Sequence, residues 1–156
     1  YKRQVSNRVF LHLKKFDDVK RATMNEEKGT RDWVCFRVAE AYLLAGEAYY
    51  RAGDVDNALK YINMLRRNCA IEGKEKEMEI SASDLSVDFI LDERARELCG
   101  EGKRWYDLKR LGKLIERTDL HNKKAHGNMK PFHELRPIPQ SQIDRCTNVY
   151  PQNPQW

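Results

Sequence analysis

Apolar residues along this chain gather in two stretches with a 3.6-residue period, set between polar segments. In the first, Trp33 to Arg51, the residues Val38, Ala41, Tyr42, Ala45 and Tyr49 share one helical face. Leu43, Leu44 and Tyr50 carry apolar surface around more of the circumference, so the helix is expected to be buried on several sides. Asp32 stands where an N-cap would accept from the free amides of the first turn. Gly53 ends this helix and Asp54 caps the next, where Val55, Ala58, Leu59, Ile62 and Leu65 form a stripe up to Asn68. In the second stretch, Leu91, Ala95 and Leu98 fall at i, i+4 and i+7. Past Gly100-Glu101-Gly102 the apolar spacing resumes at Trp105, Leu108, Leu111 or Gly112, and Ile115. Two glycines in three residues permit a sharp reversal, which predicts a second helical hairpin started by Ser83 or Asp84.

The intervening segments lack that period. Val9-Phe10-Leu11-His12-Leu13 reads as a short extended segment, and 17–31, 72–84 and 116–134 read as loops. Pro137, Pro139, Pro151 and Pro154 keep the tail extended, with at most a helical turn at Gln140 to Asp144, and Trp156 at its end is expected to be mobile. The expected fold is therefore all-α: a lead-in over 1–31, helix pairs over 32–68 and 84–117, and an irregular proline-containing tail over 118–156. The run Tyr42-x-x-Ala45-Gly46-x-x-Tyr49, followed by Ala58-x-x-x-Ile62, is similar to the tetratricopeptide pattern. There the small residues, here Gly46 and Ala58, sit where two antiparallel helices approach. Leu65 and Leu98 are expected in the core.

Composition narrows the class. Hydrophobic residues make up 40% of 156 and charged residues 34%, as in a charge-rich helical domain. The net charge of +5 is spread along the chain, which reads as a solvated surface and not a nucleic-acid footprint. No apolar run approaches the roughly 20 residues of a membrane span. The start at Tyr1, inside a polar basic run, reads as a piece of a longer protein. Cys35 and Cys99 sit within helical patterns as small hydrophobes, and the pairing of the four cysteines cannot be deduced from spacing.

Glu93, Glu97 and Glu101 ascend one helix at i, i+4 and i+8, interleaved with Arg94 and Arg96 and followed by Lys103 and Arg104. Acid–base catalysis normally takes its carboxylates from separate elements, so the ladder reads as an ion-pair network at the elbow. Glu97 or Glu101 is expected to pair with Arg94, Arg104 or a neighbouring helix, with Trp105 largely buried. His121, His126 and His133 come without HExxH or CxxC, and there is no GxGxxG, GxxxxGK[ST] or GxSxG. No catalytic residue, metal site or cofactor is therefore expected.

Three ordered stretches carry a resemblance. ILDERARELCGEGKRWYDLKRLGKL, RVAEAYLLAGEAYYRAGDVDNALKYINMLRR (Arg37 to Arg67) and LRPIPQSQIDRCTNVYPQNPQW (Leu135 to Trp156) resemble the C-terminal region of SusD/RagB-type proteins. The matched positions are structural. They are Arg37, Glu40 and Glu47 in the first helix pair, Glu93, Arg94, Glu97, Glu101, Gly102, Arg104, Trp105 and Asp107 at the elbow, and Pro137, Ile138, Pro139, Asn153 and Pro154 in the tail. Cys99 in a small-residue slot and Trp156 at the end depart mildly.

The resemblance implies a non-enzymatic protein on the cell-surface side of the bacterial outer membrane, held by a lipid anchor outside these residues. It would bind an oligosaccharide or polysaccharide and hand it to a TonB-dependent, SusC-like transporter. For such a ligand the candidate residues are Trp33, whose ring can stack on a sugar face, and Arg31 beside it. Tyr61 and Met64, off the core stripe, are the candidate transporter interface. A tetratricopeptide-like module that binds a peptide, and a glycoside hydrolase built on the acid ladder, are the alternatives.

Overall fold

The computed structural model describes residues 13 to 23 and 25 to 156. The extended segment expected at Val9 to Leu13 thus lies almost wholly outside the described residues. Among those described there is no strand, and the chain forms seven α-helices and two 3-10 turns. It divides into two compact units, Tyr1–Ser83 and Asp84–Trp156.

In the first unit, α1 (Val38–Arg51) and α2 (Val55–Asn68) form an antiparallel hairpin. Gly53 turns the chain with φ of +83°, and the Asp54 side chain accepts from Asn57 N at 3.0 Å. The cap expected at Asp32 is not used. Residues 32–37 are non-helical, and α1 starts only after Arg37, which is extended and offers no side-chain cap. The buried face also differs from the expected one. Ala39, Glu40, Leu43, Gly46 and Glu47 are buried, whereas Val38 is 63% exposed and Ala41 and Ala48 face solvent. With small and apolar residues on every side of α1, periodicity did not single out a face. The groove of α2 did, and only a glycine fits at 46 against Ile62: a Cβ there would stand 2.7 Å from Ile62 Cγ1. Ala58, Ile62 and Leu65 supply the α2 side of this core, along the expected stripe.

The loop expected at 72–84 contains a one-turn helix, α3 (Glu75–Met78). Polar side chains of α2 bind the segment after it. Asn63 donates to Ile80 O at 3.0 Å and accepts from Ile80 N at 2.9 Å, and Arg66 Nε donates to Met78 O at 2.6 Å.

In the second unit, α4 (Val87–Glu97) begins later than expected. Its N-cap is Ser86, which accepts from Phe89 N at 3.0 Å, in place of Ser83 or Asp84. Gly100 and Gly102, both at positive φ, turn the chain into α5 (Arg104–Arg110). The helix expected to continue to Ile115 stops there. Gly112 adopts φ of +65°, Lys113 N bonds back to Leu108 O at 2.8 Å, and α6 (Leu114–His121) sets off anew. The break lets Leu108 and Leu114 both reach Leu91, with Trp105, Leu111 and Met129 packed against them.

The tail carries the helical turn α7 (Gln140–Ile143), close to its expected place. It is held by side chains. Gln152 accepts from Ile138 N at 2.8 Å and donates to Ile138 O at 2.9 Å, and Asn153 donates to Arg136 O at 2.8 Å. Trp156 is anchored, contrary to expectation. Its Nε1 donates to Leu135 O at 2.8 Å, and its ring meets Phe132 edge-on at 5.3 Å.

Candidate functional site

The candidate site is built on the lead-in of the first unit, where two short runs are drawn together by one carboxylate. Lys14–Phe16 make a single 3-10 turn closed by Asp17 N to Lys14 O at 3.0 Å. Asp18 follows. Its Oδ1 accepts from Lys20 N at 3.0 Å, and its Oδ2 accepts from Thr30 N at 2.7 Å and Arg31 N at 3.2 Å. Those amides, Lys20 first and then Thr30, hold the carboxyl below its ordinary value of 3.8 by stabilising the charged form. Gly29 leaves room for this knot, since a Cβ there would approach Asp18 Oδ2 at 3.1 Å.

Arg31 locks the same junction from the other side. Its Nη1 donates to Lys15 O at 3.0 Å and to Asp17 O at 2.9 Å. Two residues on, Trp33 stacks on Phe16 with centroids 5.7 Å apart and planes 9° from parallel. The indole is nevertheless 71% exposed. A cleft of about 830 Å³ in the same lead-in is lined by Lys14, Lys15, Lys20, Asp18, Arg31 and Asp32 among others, with neither ring in its lining. The immediate neighbours of both rings, Lys15 and Asp17, Asp32 and Val34, all line that cleft. Chemically the arrangement offers an apolar plate near a hollow of mixed charge, with Lys14, Lys15, Lys20 and Arg31 set against Asp17, Asp18 and Asp32.

Sequence reasoning named Trp33 and Arg31, and the structure brings both to one junction. It missed Phe16 and Asp18. Both stand in the 14–18 run, many residues before 30–33, and no local pattern announces a pairing at that distance.

The other candidates are placed as follows. Tyr61 is half-buried on α2, stacked on Tyr49 at 5.6 Å and tilted toward Tyr42 at 6.1 Å, while Met64 is half-buried on the same helix. At the elbow, Arg94 pairs with Asp107 at 2.8 Å, both side chains almost wholly buried. Arg104 donates to Leu91 O at 2.7 Å, and Glu93 pairs with Arg96 at 2.6 Å. An ion pair between Arg94 and Asp107 thus spans the elbow, in addition to the pairing expected of Glu97 or Glu101 with Arg94, Arg104 or a neighbouring helix. Trp105 is partly buried against the Leu91, Leu108 and Leu114 cluster, and Arg136 lies over its ring at 5.0 Å. Burial lowers the Arg104 pKa, and the neighbouring Arg117 charge adds to that. A hollow of about 420 Å³ at the elbow is lined by Arg94, Leu98, Trp105 and Asp107 and by none of the three ladder glutamates.

The histidines serve separate local bonds. His121 meets Arg117 Nη1 at 3.1 Å, His126 Nδ1 lies 3.0 Å from Asp119 O, and His133 Nδ1 accepts from Lys130 N at 2.8 Å. Among the described residues no three His, Cys, Asp or Glu side chains are grouped to hold a metal ion. Cys35, Cys69 and Cys99 are exposed thiols and Cys146 is half-buried. Cys35 and Cys99 thus lie outside the helices, on the surface, and do not act as the small core hydrophobes expected. No described helix is long and apolar enough to cross a membrane.

Comparison with known proteins adds the following. The model of the SusD family matches residues 2–156. "SusD-like protein P25" of Formosa agariphila is 34% identical over 113 residues, covering 70% of this chain and 21% of that protein. "SusD-like protein P2" of the same organism is 30% identical over 136 residues, covering 83% of this chain and 27% of that protein. "Starch-binding protein SusD" of Bacteroides thetaiotaomicron is 33% identical over 118 residues, covering 73% of this chain and 20% of that protein. The chain spans about a fifth to a quarter of the length of these curated relatives. No solved structure matches it significantly.

Proposed function

This chain belongs to the SusD family, and from that premise we propose that it is part of a cell-surface glycan-binding protein. Such a protein captures an oligosaccharide or polysaccharide at the bacterial outer membrane and delivers it to a TonB-dependent, SusC-like transporter. The observation that carries this reading is the family match along residues 2–156, together with a relative named for starch binding. The structure is consistent with a binding role. Its helix pairs form a scaffold, the elbow carboxylates are part of charge pairs, and the exposed Trp33 offers a stacking face. The reading is non-enzymatic, with no cofactor.

In this scheme the transporter docks on the α1–α2 hairpin, where Met64 and Tyr61 supply apolar surface. The test is co-purification of the tagged chain with a SusC-like transporter expressed in the same outer membrane. Met64→Asp is expected to reduce the co-purified transporter with little change in Tm. Tyr61→Asp is expected to reduce it too, and to lower Tm because the Tyr49 stack is lost. A large fall in Tm with Met64→Asp would assign that side chain to the core and remove it from the interface. No co-purification with the unsubstituted chain would count against delivery to a transporter.

A further inference from the structure

The Phe16–Trp33 junction has a chemistry more specific than sugar stacking. Phe16 covers one face of the Trp33 indole and leaves the other to solvent, so the plate is pre-oriented before any ligand arrives. Arg31 is likewise pre-oriented, and only in part engaged. Its Nη1 is spent on Lys15 O and Asp17 O, two uncharged carbonyls. Among the described residues its Nε and Nη2 have no partner, and the side chain is exposed. The Nε–Nη2 edge is the fork that grips a carboxylate or a sulfate through two parallel bonds. Of the carboxylates that line the same cleft, Asp18 already accepts three backbone amides. Lys14, Lys15 and Lys20 line the same cleft and, with Arg31, outnumber its acids Asp17, Asp18 and Asp32 by one charge.

We propose that this junction is a subsite for an anionic sugar: the pyranose ring lies on the open face of Trp33 while its carboxylate or sulfate ester is held by the Nε–Nη2 edge of Arg31. The ring supplies the apolar contact, Arg31 the discrimination, and the lysines the attraction at longer range. The assignment rests on the glycan-binding reading above and narrows its substrate class to acidic saccharides.

The test uses the 156-residue chain, NMR of its three indole N–H signals, and three short probes: an oligogalacturonate, a sulfated galactan oligosaccharide and maltoheptaose. The expected result is that the Trp33 signal moves with one or both acidic probes and little with maltoheptaose. The signals of Trp105 and Trp156 should stay in place. Trp33→Ala, followed by the backbone amide signals of Thr30 and Arg31 because its own indole reporter is gone, should abolish the response of the chain. Arg31→Lys keeps the charge and loses the fork, and should weaken acidic binding on the order of tenfold, about the effect of losing one charge-assisted bidentate contact. Since Arg31 also ties the loop, Lys20→Gln provides a second variant whose side chain bonds nothing in the knot. It should weaken acidic binding about twofold to fivefold, as expected for one rim charge.

The arms separate the outcomes. A response to the uronate alone assigns a carboxylate subsite, and a response to the sulfated probe alone a sulfate subsite. Equal binding of maltoheptaose, lost in Trp33→Ala but not in Arg31→Lys, overturns the anionic assignment and leaves glycan binding standing. Acidic binding that survives both substitutions places the sugar elsewhere and overturns the subsite. No response to any probe overturns it as well, while the family-level reading is still judged by transporter co-purification.

Discussion

Single residues decide how closely the elements approach. Gly46 is the clearest case. The hairpin of α1 and α2 closes because no Cβ stands between the Gly46 backbone and Ile62. Gly46→Ala gives a better helix former but must push Ile62 aside. Overpacking of this kind typically costs about 1–3 kcal/mol, more than the propensity gained, and a lowered urea midpoint followed by circular dichroism is the expected reading. An unchanged midpoint would mean that Ile62 gives way freely. Asp18 makes a prediction about pH. Its pKa in the folded chain lies below the ordinary 3.8, so its contribution to loop order is complete above that value. It is lost as pH falls through the lower, folded value. The amide signals of Lys20, Thr30 and Arg31 should therefore keep their positions down through the ordinary value of 3.8 and collapse together only below it. Collapse well above that pH would show that the carboxylate does not hold the knot.

Elements begin and end where a backbone group finds a partner, and neighbouring residues of equal propensity compete for that role. Ser83, Asp84 and Ser86 are all good caps by type, and it is Ser86 that takes the N-cap position, accepting from Phe89 N of α4 at 3.0 Å. Leu85, 6% exposed, is drawn into the core just before the cap, which fixes where the first helical turn must start. Ser86→Ala should then cost about 1 kcal/mol and Ser83→Ala close to nothing, measured by chemical denaturation. Equal effects would mean that the cap is shared. The same logic explains the division of α5 from α6. A continuous helix would place Leu114 by its periodic register, whereas the positive φ at Gly112 re-aims it at Leu91 and Leu108. The new direction also brings Arg117 to Asp88 and Asp92 of α4, at 3.1 and 3.0 Å, binding the third helix to the first. The guanidinium is 6% exposed while both acids are partly wet, so the pairs act with the surrounding leucines and do not stand alone.

At the scale of the whole molecule, the exposed aromatic side chains among the described residues are Phe16, Trp33, Phe36, Tyr106, Tyr150 and Trp156, and of these Phe16 and Trp33 are the pair that stacks. Of the three tryptophans, Trp105 lies under Arg136, Trp156 is tied to Leu135 O, and Trp33 alone presents most of its ring. A sugar platform usually needs more than one ring to reach useful affinity. The chain by itself is therefore expected to bind any saccharide weakly, with Kd on the order of 1 mM. Titration calorimetry giving a micromolar Kd would contradict this and would point to a second plate. Weak affinity fits the subsite proposed above, because one stacked ring and one ion fork supply little surface against the cost of fixing a flexible sugar.

The sequence alone determined the helical class, the α1–α2 hairpin with its Gly53 turn and Asp54 cap, the α2 stripe, the glycine elbow and the ordering of three family motifs. All of these are local: period, caps and turn residues act over a few positions, and a few positions are what a sequence displays. Trp33 and Arg31 were candidates on side-chain chemistry alone, and their role in binding is the proposal made above. Only the tertiary structure decided the rest. The buried face of α1 was set by the groove it meets, because the helix is apolar or small nearly all round. The partner of Arg94 was set across the elbow at Asp107, because i, i+4 spacing says nothing about the facing helix. Trp156 was fixed by a carbonyl 21 residues away, and the Phe16–Trp33 stack by the Asp18 knot. Such contacts between distant residues come from loop closure, which costs chain entropy and is repaid only when many weak bonds form together. No single residue along the chain carries that information.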